Sequence, residues 1–102
     1  MEQINKVTPK EVEQLVEEGK NTIIVDVRED DEVAQGMIRT AKHIPLEKIP
    51  HSLDELDQTK DYIVVCRSGN RSMMAASFMD ERGFNVSNME GGMLDWEGEV
   101  VL

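Results

Sequence analysis

Two short runs of apolar residues, most of them β-branched, place the strongest constraint on the fold of this chain. Residues 22–27 read Thr-Ile-Ile-Val-Asp-Val, and residues 62–65 read Tyr-Ile-Val-Val. Apolar runs without alternation are typical of strands that are covered on both faces. A polar turn and a helical pattern follow each run, which favours right-handed βαβ units in a mostly parallel sheet. The sequence therefore predicts an α/β fold with helices on both faces of the sheet.

The rest of the chain continues this alternation. Further strands are expected at residues 4–7, 41–44 and 84–86, helices at residues 9–18, 29–35 and 72–82, and a last helical turn at residues 93–96. Residues 8–11 (Thr-Pro-Lys-Glu) and 52–55 (Ser-Leu-Asp-Glu) both have the spacing of a capping box at a helix start. Because no repeat or linker interrupts the pattern, we expect a single domain over residues 1–102.

Charge and cysteine content exclude several kinds of partner. The chain carries 11 basic and 21 acidic residues, and its net charge of −10 argues against binding to nucleic acid or to an anionic membrane surface. No window of the sequence approaches the length of a membrane span. A single cysteine cannot form an internal disulfide, and a free thiol fits a reducing compartment. We therefore expect a cytoplasmic protein.

The sequence gives no sign of a metal site or an organic cofactor. His43 and His51 are isolated from other ligand types, and one cysteine cannot build a thiolate cage. No glycine-rich nucleotide signature is present. Among the methionines, Met79 is expected in the core, whereas Met73 and Met93 are candidates for the rim of a pocket.

Cys66 lies where a nucleophile is expected in such a fold. It directly follows the second apolar run, and residues 67–71 form a polar turn with one glycine and two arginines. Ligands bind beyond the carboxyl ends of parallel strands. The start of the following helix directs backbone N–H groups toward the turn, which lowers the pKa of a thiol and holds an anion beside it. The pattern favours a reactive thiolate and an anionic substrate; the alternative is an inert buried cysteine.

Asp26 and Arg28 lie at the carboxyl end of the first run, where they would share an edge of the sheet with Cys66. Arg28 either adds positive charge at the pocket or forms a structural ion pair with Asp26. The four carboxylates at residues 29–32 are interpreted as a solvated helix start, because acidic side chains favour the positive end of the helix dipole.

Residues 66–72, Cys-Arg-Ser-Gly-Asn-Arg-Ser, resemble the active-site loop of the rhodanese family of sulfurtransferases. Three further segments match the pattern of that family in the right order. They are residues 26–29 (Asp-Val-Arg-Glu), residues 36–46 (Gly36 through Ala41 to Ile-Pro-Leu) and residues 91–96 (Gly-Gly-Met with Trp96). Met37 departs from the pattern, since many members have histidine there. That histidine is not the sulfur carrier.

The resemblance implies a single rhodanese-like domain with a five-stranded, mostly parallel sheet and with Cys66 as the sulfur-carrying residue. In such enzymes the thiolate takes the outer sulfur of a donor such as thiosulfate, and cyanide, a thiol or a protein acceptor then removes it from the persulfide. This ping-pong reaction needs no second cysteine. The expected substrate-binding residues are Arg67, Ser68, Gly69, Asn70, Arg71 and Arg28. No cofactor is implied, and a monomer or weak dimer is expected.

Besides sulfur transfer to a small molecule, the sequence leaves three alternatives open. The protein could be a relay that hands the persulfide to a protein acceptor rather than to a small thiol. It could also be a regulatory binding module, although inactive members of the family typically lack the cysteine. Phosphatase or arsenate reductase activity is the third alternative. Cysteine phosphatases place five residues between cysteine and arginine, whereas four residues separate Cys66 from Arg71.

Overall fold

The protein is described by a computed structural model that covers residues 4–102. The strands are β1 (Asn5–Val7), β2 (Ile23–Asp26), β3 (Met37–Ile38), β4 (Lys42–His43), β5 (Asp61–Val65), β6 (Asn85–Met89) and β7 (Val100–Val101). The α-helices are α1 (Pro9–Glu18), α2 (Asp30–Val33), α3 (Ile49–Ser52) and α4 (Asn70–Glu81). Short 3₁₀ turns span Leu46–Lys48, Leu53–Glu55 and Gly92–Asp95.

Five of these strands form one parallel sheet in the order β1-β6-β5-β2-β4. This arrangement confirms the predicted α/β fold with a five-stranded parallel sheet. β5 lies at the centre, where Val65 is in register with Asp26 of β2, and Val64 is in register with Asn88 of β6. The carboxyl ends of β2, β5 and β6 therefore lie next to one another at one edge of the sheet.

Both faces of the sheet are covered. On one face, Val25 of β2 and Val64 of β5 pack in a buried cluster with Met79 of α4. On the other face, Ile63 of β5 packs in a second cluster with Val12 of α1. The unbroken apolar run in β5 is explained by this arrangement, since neither face of the strand meets solvent. Met79 is fully buried, which confirms the prediction that it belongs to the core.

The first predicted capping box is confirmed, and the second is wrong. The hydroxyl of Thr8 accepts the Glu11 N–H at 3.1 Å, and the carboxylate of Glu11 accepts the Thr8 N–H at 2.8 Å. Ser52 instead ends α3, and its hydroxyl donates to the carbonyl of Lys48 at 2.8 Å. The spacing of a capping box is present, but Ser52 belongs to the last turn of α3 and its hydroxyl is bonded within that helix.

Helix α4 begins at Asn70, two residues before the predicted start at Ser72. Gly69 has a φ of 103°, a left-handed conformation that lets the chain turn directly from the loop into the helix. As a result, Asn70 and Arg71 belong to the first turn of α4. The last helical turn spans Gly92–Asp95 rather than residues 93–96.

A second, two-stranded sheet was not predicted. β3 pairs with β7 in antiparallel register, with Met37 opposite Val101 and Ile38 opposite Val100. This pairing holds the C-terminal segment beside Gly36. Among residues 4–102, no helix has the length and apolar character needed to cross a bilayer.

Candidate active site

Cys66 lies at the carboxyl end of the central strand, against the start of α4. It is buried, with 0% of its surface exposed. Its Sγ accepts the Gly69 N–H at 3.0 Å and the Ser72 N–H at 3.3 Å. The Ser72 Oγ lies 3.2 Å from Sγ, which makes a third polar contact. Fixed N–H groups at a helix start bind anions, so this arrangement can hold negative charge on the sulfur.

The electrostatic environment of the thiol favours its ionised form. Burial by itself raises the pKa of the Cys66 thiol, because a buried thiolate loses its hydration. Hydrogen bonds from the Ser72 hydroxyl, the Ser72 N–H and the N–H groups of Gly69 and Ser68 act in the opposite direction. Their combined effect is larger, so the pKa of Cys66 lies below its ordinary value.

The groups around the sulfur form a closed ring of hydrogen bonds. The Ser72 hydroxyl donates to Oδ1 of Asn88 at 2.5 Å, and Nδ2 of Asn88 donates to the carbonyl of Gly69 at 3.2 Å. Gly69 in turn donates its N–H to Cys66. Asn88 is supplied by β6, the neighbour of β5 in the sheet. The ring therefore connects the loop, the helix and the sheet around one sulfur atom.

The second arginine of the loop is engaged by α2. Nη1 and Nη2 of Arg71 donate to the two carboxylate oxygens of Glu32 at 2.7 and 2.8 Å. These bonds lower the pKa of Glu32 from 4.5 to about 2 and raise the pKa of Arg71. The Arg71 cation also interacts with the Cys66 thiolate. Arg71 is thus both a member of the loop and the bridge from the loop to α2.

Arg28 is held in a buried ion pair. Its Nη2 lies 2.8 Å from Oδ2 of Asp26 and 2.9 Å from the carbonyl of Gly36, to which it also donates. His43 contacts the Arg28 carbonyl through Nε2 at 2.8 Å. Arg28 therefore braces β2 against the segment before β3. The ion pair with Asp26, one of the two roles considered for Arg28, is therefore present, and a role of Arg28 in binding substrate stays a prediction.

A cleft of about 400 Å³ lies beside the loop, and Arg67 and Arg28 both contribute to its wall. The lining residues are Arg28, Asp31, Glu32, Gln35, Gly36, Arg67, Met93, Leu94 and Val100. Arg67 is exposed, as are Ser68 and Asn70. Met93 lies on this wall, whereas Met73 lines a separate depression near Ile4. Arg67 is thus the loop cation that faces solvent in the cleft.

The turn Gly92–Asp95 fixes the loop from the other side. The Met93 N–H donates to the Cys66 carbonyl at 2.8 Å, and the Leu94 N–H donates to the Arg67 carbonyl at 3.0 Å. With both carbonyls engaged, the first peptide units of the loop are held in one orientation. Their orientation directs the later N–H groups toward Sγ.

The sequence did not single out three residues of this arrangement: Ser72, Asn88 and Glu32. Ser72 was assigned to the helix, although its position at the helix start could have marked it as a possible donor. Asn88 lay beyond the predicted end of β6, so nothing suggested that it would neighbour Ser72. Glu32 was one of four consecutive carboxylates, and the sequence alone could not show which one meets Arg71. Among residues 4–102, no three His, Cys, Asp or Glu side chains cluster as a metal site.

Comparison with known proteins identifies the family of this chain. The family model described as a rhodanese-like domain matches residues 8–99. "Putative sulfurtransferase YtwF" of Bacillus subtilis is 43% identical over 98 residues, which is 96% of this chain and 95% of that protein. The thiosulfate sulfurtransferase GlpE of Pseudomonas aeruginosa is 32% identical and covers 89% of this chain and 82% of its own length.

A solved structure shows the same fold. The rhodanese-like domain protein of Staphylococcus aureus superposes with a TM-score of 0.90 and 35% identity, covering 97% of this chain and 98% of that one. The family match spans nearly all of the described residues, and it includes the loop around Cys66. The chain therefore belongs to the rhodanese-like family.

Proposed function

We propose that this protein is a sulfurtransferase that carries sulfane sulfur as a persulfide on Cys66. The donor is thiosulfate or another small anionic persulfide donor, and the acceptor is a thiophilic nucleophile. The observation that supports this most directly is the convergence of N–H and hydroxyl groups on the sulfur of the single cysteine. The relatives named as sulfurtransferases support the same class of reaction.

In the first half-reaction, the Cys66 thiolate attacks the outer sulfur of the donor. A new bond forms between Sγ and that sulfur, and the bond to the sulfonate sulfur breaks. Its electron pair leaves with sulfite. Arg67, the exposed cation of the cleft, attracts the dianionic donor. Because Cys66 is fully buried, a local opening of the structure must expose Sγ before the donor can reach it.

In the second half-reaction, an acceptor nucleophile attacks the outer sulfur of the persulfide. The bond between the two sulfurs breaks, and its electron pair returns to Sγ as the thiolate. The loop N–H groups hold the negative charge in both halves of the cycle. Since the donor product leaves before the acceptor arrives, the mechanism is ping-pong and one thiol is sufficient.

The acceptor is a small thiol, cyanide in the test tube, or a protein thiol. A net charge of −10 makes nucleic acid an unfavourable partner. The free, ionisable thiol of Cys66 suits a reducing compartment, which supports a cytoplasmic location. The protein acts as a monomer or weak dimer, and no metal or organic cofactor takes part.

The phosphatase alternative is disfavoured by the position of Arg71. A cysteine phosphatase needs the loop arginine to bind the phosphate above the sulfur. Here both terminal nitrogens of Arg71 are bonded to Glu32. An aryl phosphate should therefore not be hydrolysed by the protein.

The proposal is tested by the mass of the intact protein after incubation with thiosulfate in the absence of reductant. Wild type should gain one sulfur atom, whereas Cys66→Ser should gain none. Cyanide should remove the added sulfur and release thiocyanate. With seven methionines in the chain, double oxidation could add nearly the same mass, but cyanide does not reverse oxidation.

Absence of a cyanide-reversible sulfur with thiosulfate and with other persulfide donors would overturn the proposal. The same sulfur gain on Cys66→Ser would also overturn it, since the adduct would then lie elsewhere. Hydrolysis of an aryl phosphate that disappears in Cys66→Ser would favour the phosphatase alternative.

A further inference from the structure

The hydroxyl of Ser72 has more hydrogen-bonding partners than it has protons. It lies 3.2 Å from Sγ of Cys66 and 2.5 Å from Oδ1 of Asn88. Both oxygen-bearing side chains are buried, with Ser72 at 0% and Asn88 at 4% exposure. Water therefore does not provide a substitute donor, and one hydroxyl proton serves two acceptors.

The orientation of Asn88 is fixed by its second hydrogen bond. Its Nδ2 donates to the carbonyl of Gly69, which can only accept. The amide oxygen must then point toward Ser72, where it acts as an acceptor. The Gly69 carbonyl also accepts the Met73 N–H at 3.2 Å, so α4 holds this carbonyl even without Asn88.

The protonation state of Cys66 decides which acceptor receives the serine proton. In the thiol form, the S–H can donate to the Ser72 oxygen while the hydroxyl donates to Asn88. In the thiolate form, the sulfur carries no proton and is the stronger acceptor, because it is charged. The hydroxyl then turns toward Sγ, and the bond to Asn88 is given up.

We propose that Ser72 and Asn88 form a hydroxyl switch for Cys66, in which Ser72 donates to the sulfur when it is anionic and to Asn88 when it is not. Ser72 touches a reacting atom and is a catalytic residue. Asn88 is a positioning residue, since it acts only through the proton of Ser72. Both residues of this switch lie outside residues 66–71 of the loop.

The switch follows the charge through the proposed reaction, and this part of the inference rests on the proposed function. When the persulfide forms, the negative charge moves from Sγ to the outer sulfur, and the Ser72 proton returns to Asn88. When the acceptor takes the outer sulfur, the electron pair returns to Sγ. The hydroxyl then turns back and stabilises Sγ as the leaving group.

Other charged groups near the thiol stay constant when the switch is altered. They are Arg71 on α4, its partner Glu32 on α2, Arg67 in the loop, and the Asp26–Arg28 pair at the carboxyl end of β2. β6 contributes Asn88, which is neutral. A change in thiol ionisation on mutation of Ser72 or Asn88 therefore reports the switch itself.

The test is a pH titration of the ultraviolet absorbance of the thiolate, which needs no sulfur donor. The single cysteine makes this signal unambiguous after subtraction of Cys66→Ala. Burial raises the pKa of Tyr62, the one tyrosine, so its ionisation does not overlap. Because sulfur transfer is not measured, the result stands apart from the success or failure of the proposed function.

The two single variants should move the titration in opposite directions. Ser72→Ala removes the donor to the thiolate, and the thiolate fraction below the midpoint should fall roughly tenfold. Asn88→Leu removes the competing acceptor and keeps a side chain branched at Cγ, and the thiolate fraction should rise by about fivefold. General loosening of the loop would instead lower the thiolate fraction in both variants.

A double variant tests whether Asn88 acts through Ser72. If Asn88 acts through the Ser72 proton, Asn88→Leu should have no effect on the titration in the Ser72→Ala background. Ser77→Ala on α4 and Asn85→Leu on β6 are matched controls and should leave the midpoint unchanged. Asn88→Ala replaces Asn88→Leu if circular dichroism shows that the larger side chain prevents folding.

A rise of the midpoint in Asn88→Leu, or no change, would overturn the inference. An equal shift in the single variant and in the Ser72→Ala background would also overturn it. In either case Asn88 would be a structural residue of the loop and not part of a switch.

Discussion

At the scale of single residues, Gly92 lets the turn Gly92–Asp95 pack directly against the backbone of the active-site loop. A Cβ added at this position would lie 2.5 Å from the carbonyl oxygens of both Cys66 and Arg67. Backbone atoms cannot give way cheaply, so alanine must displace the turn that holds the loop. We expect Gly92→Ala to cost about 2–4 kcal/mol of stability, from overpacking and from its left-handed φ together.

The matched control for this substitution is Gly19→Ala. Gly19 has a φ of 67°, close to the 61° of Gly92, but no atom lies within 4 Å of the added Cβ. Urea unfolding should therefore show a loss of about 1 kcal/mol for Gly19→Ala, which is the backbone term alone. Equal losses in the two variants would mean that the contact with the loop does not matter.

At the scale of elements, the Arg71–Glu32 pair joins α4 to α2 across the cleft. The pKa of Glu32 is about 2 in the folded protein, whereas the ordinary pKa of a glutamate side chain is 4.5. A depressed carboxylate pKa contributes stability that is fully present above pH 4.5 and is lost as the pH falls through about 2. Both side chains are partly exposed, so we expect Glu32→Gln to cost only about 1–2 kcal/mol at neutral pH.

This expectation is checked by chemical unfolding of wild type and Glu32→Gln at a series of pH values. The difference in unfolding free energy should be constant from pH 7 to about pH 5 and should shrink below pH 4.5. Asp31→Asn, on the same helix and also at the cleft, is the charge-matched control. A difference that persists undiminished at the lowest pH would show that Glu32 contributes by packing and not by charge.

The elements also show where sequence reasoning succeeds and where it stops. β2 and β5 were predicted because their buried apolar runs differ from anything a loop or surface helix contains. β3 and β7 were missed because two residues each carry no periodicity, and their pairing joins Met37 to Val101 across most of the chain. The loop around Cys66 could be assigned from local chemistry and resemblance. Asn88 could not, because its role depends on the register between β5 and β6.

At the scale of the whole molecule, the net charge opposes the local charge of the cleft. The protein carries −10 within principal extents of 31 × 27 × 24 Å. In unscreened water, that charge repels a dianion at the surface by roughly 5 kcal/mol, whereas one arginine about 5 Å away attracts it by about 2 kcal/mol. Arg71 and Arg28 are paired with carboxylates, so Arg67 supplies most of the attraction.

Salt should therefore accelerate the first half-reaction with thiosulfate. The Debye length falls to about 8 Å at physiological ionic strength, which screens the distant acidic residues more than it screens Arg67. We expect kcat/KM for thiosulfate to rise by a factor of roughly 3 to 10 from low to physiological ionic strength. Arg67→Gln should lower kcat/KM at every ionic strength without reversing the trend.

Titration with two salts of different anions separates screening from competition for the site. A rate that falls steadily with both salts would show that the cations of the loop outweigh the acidic body at all distances.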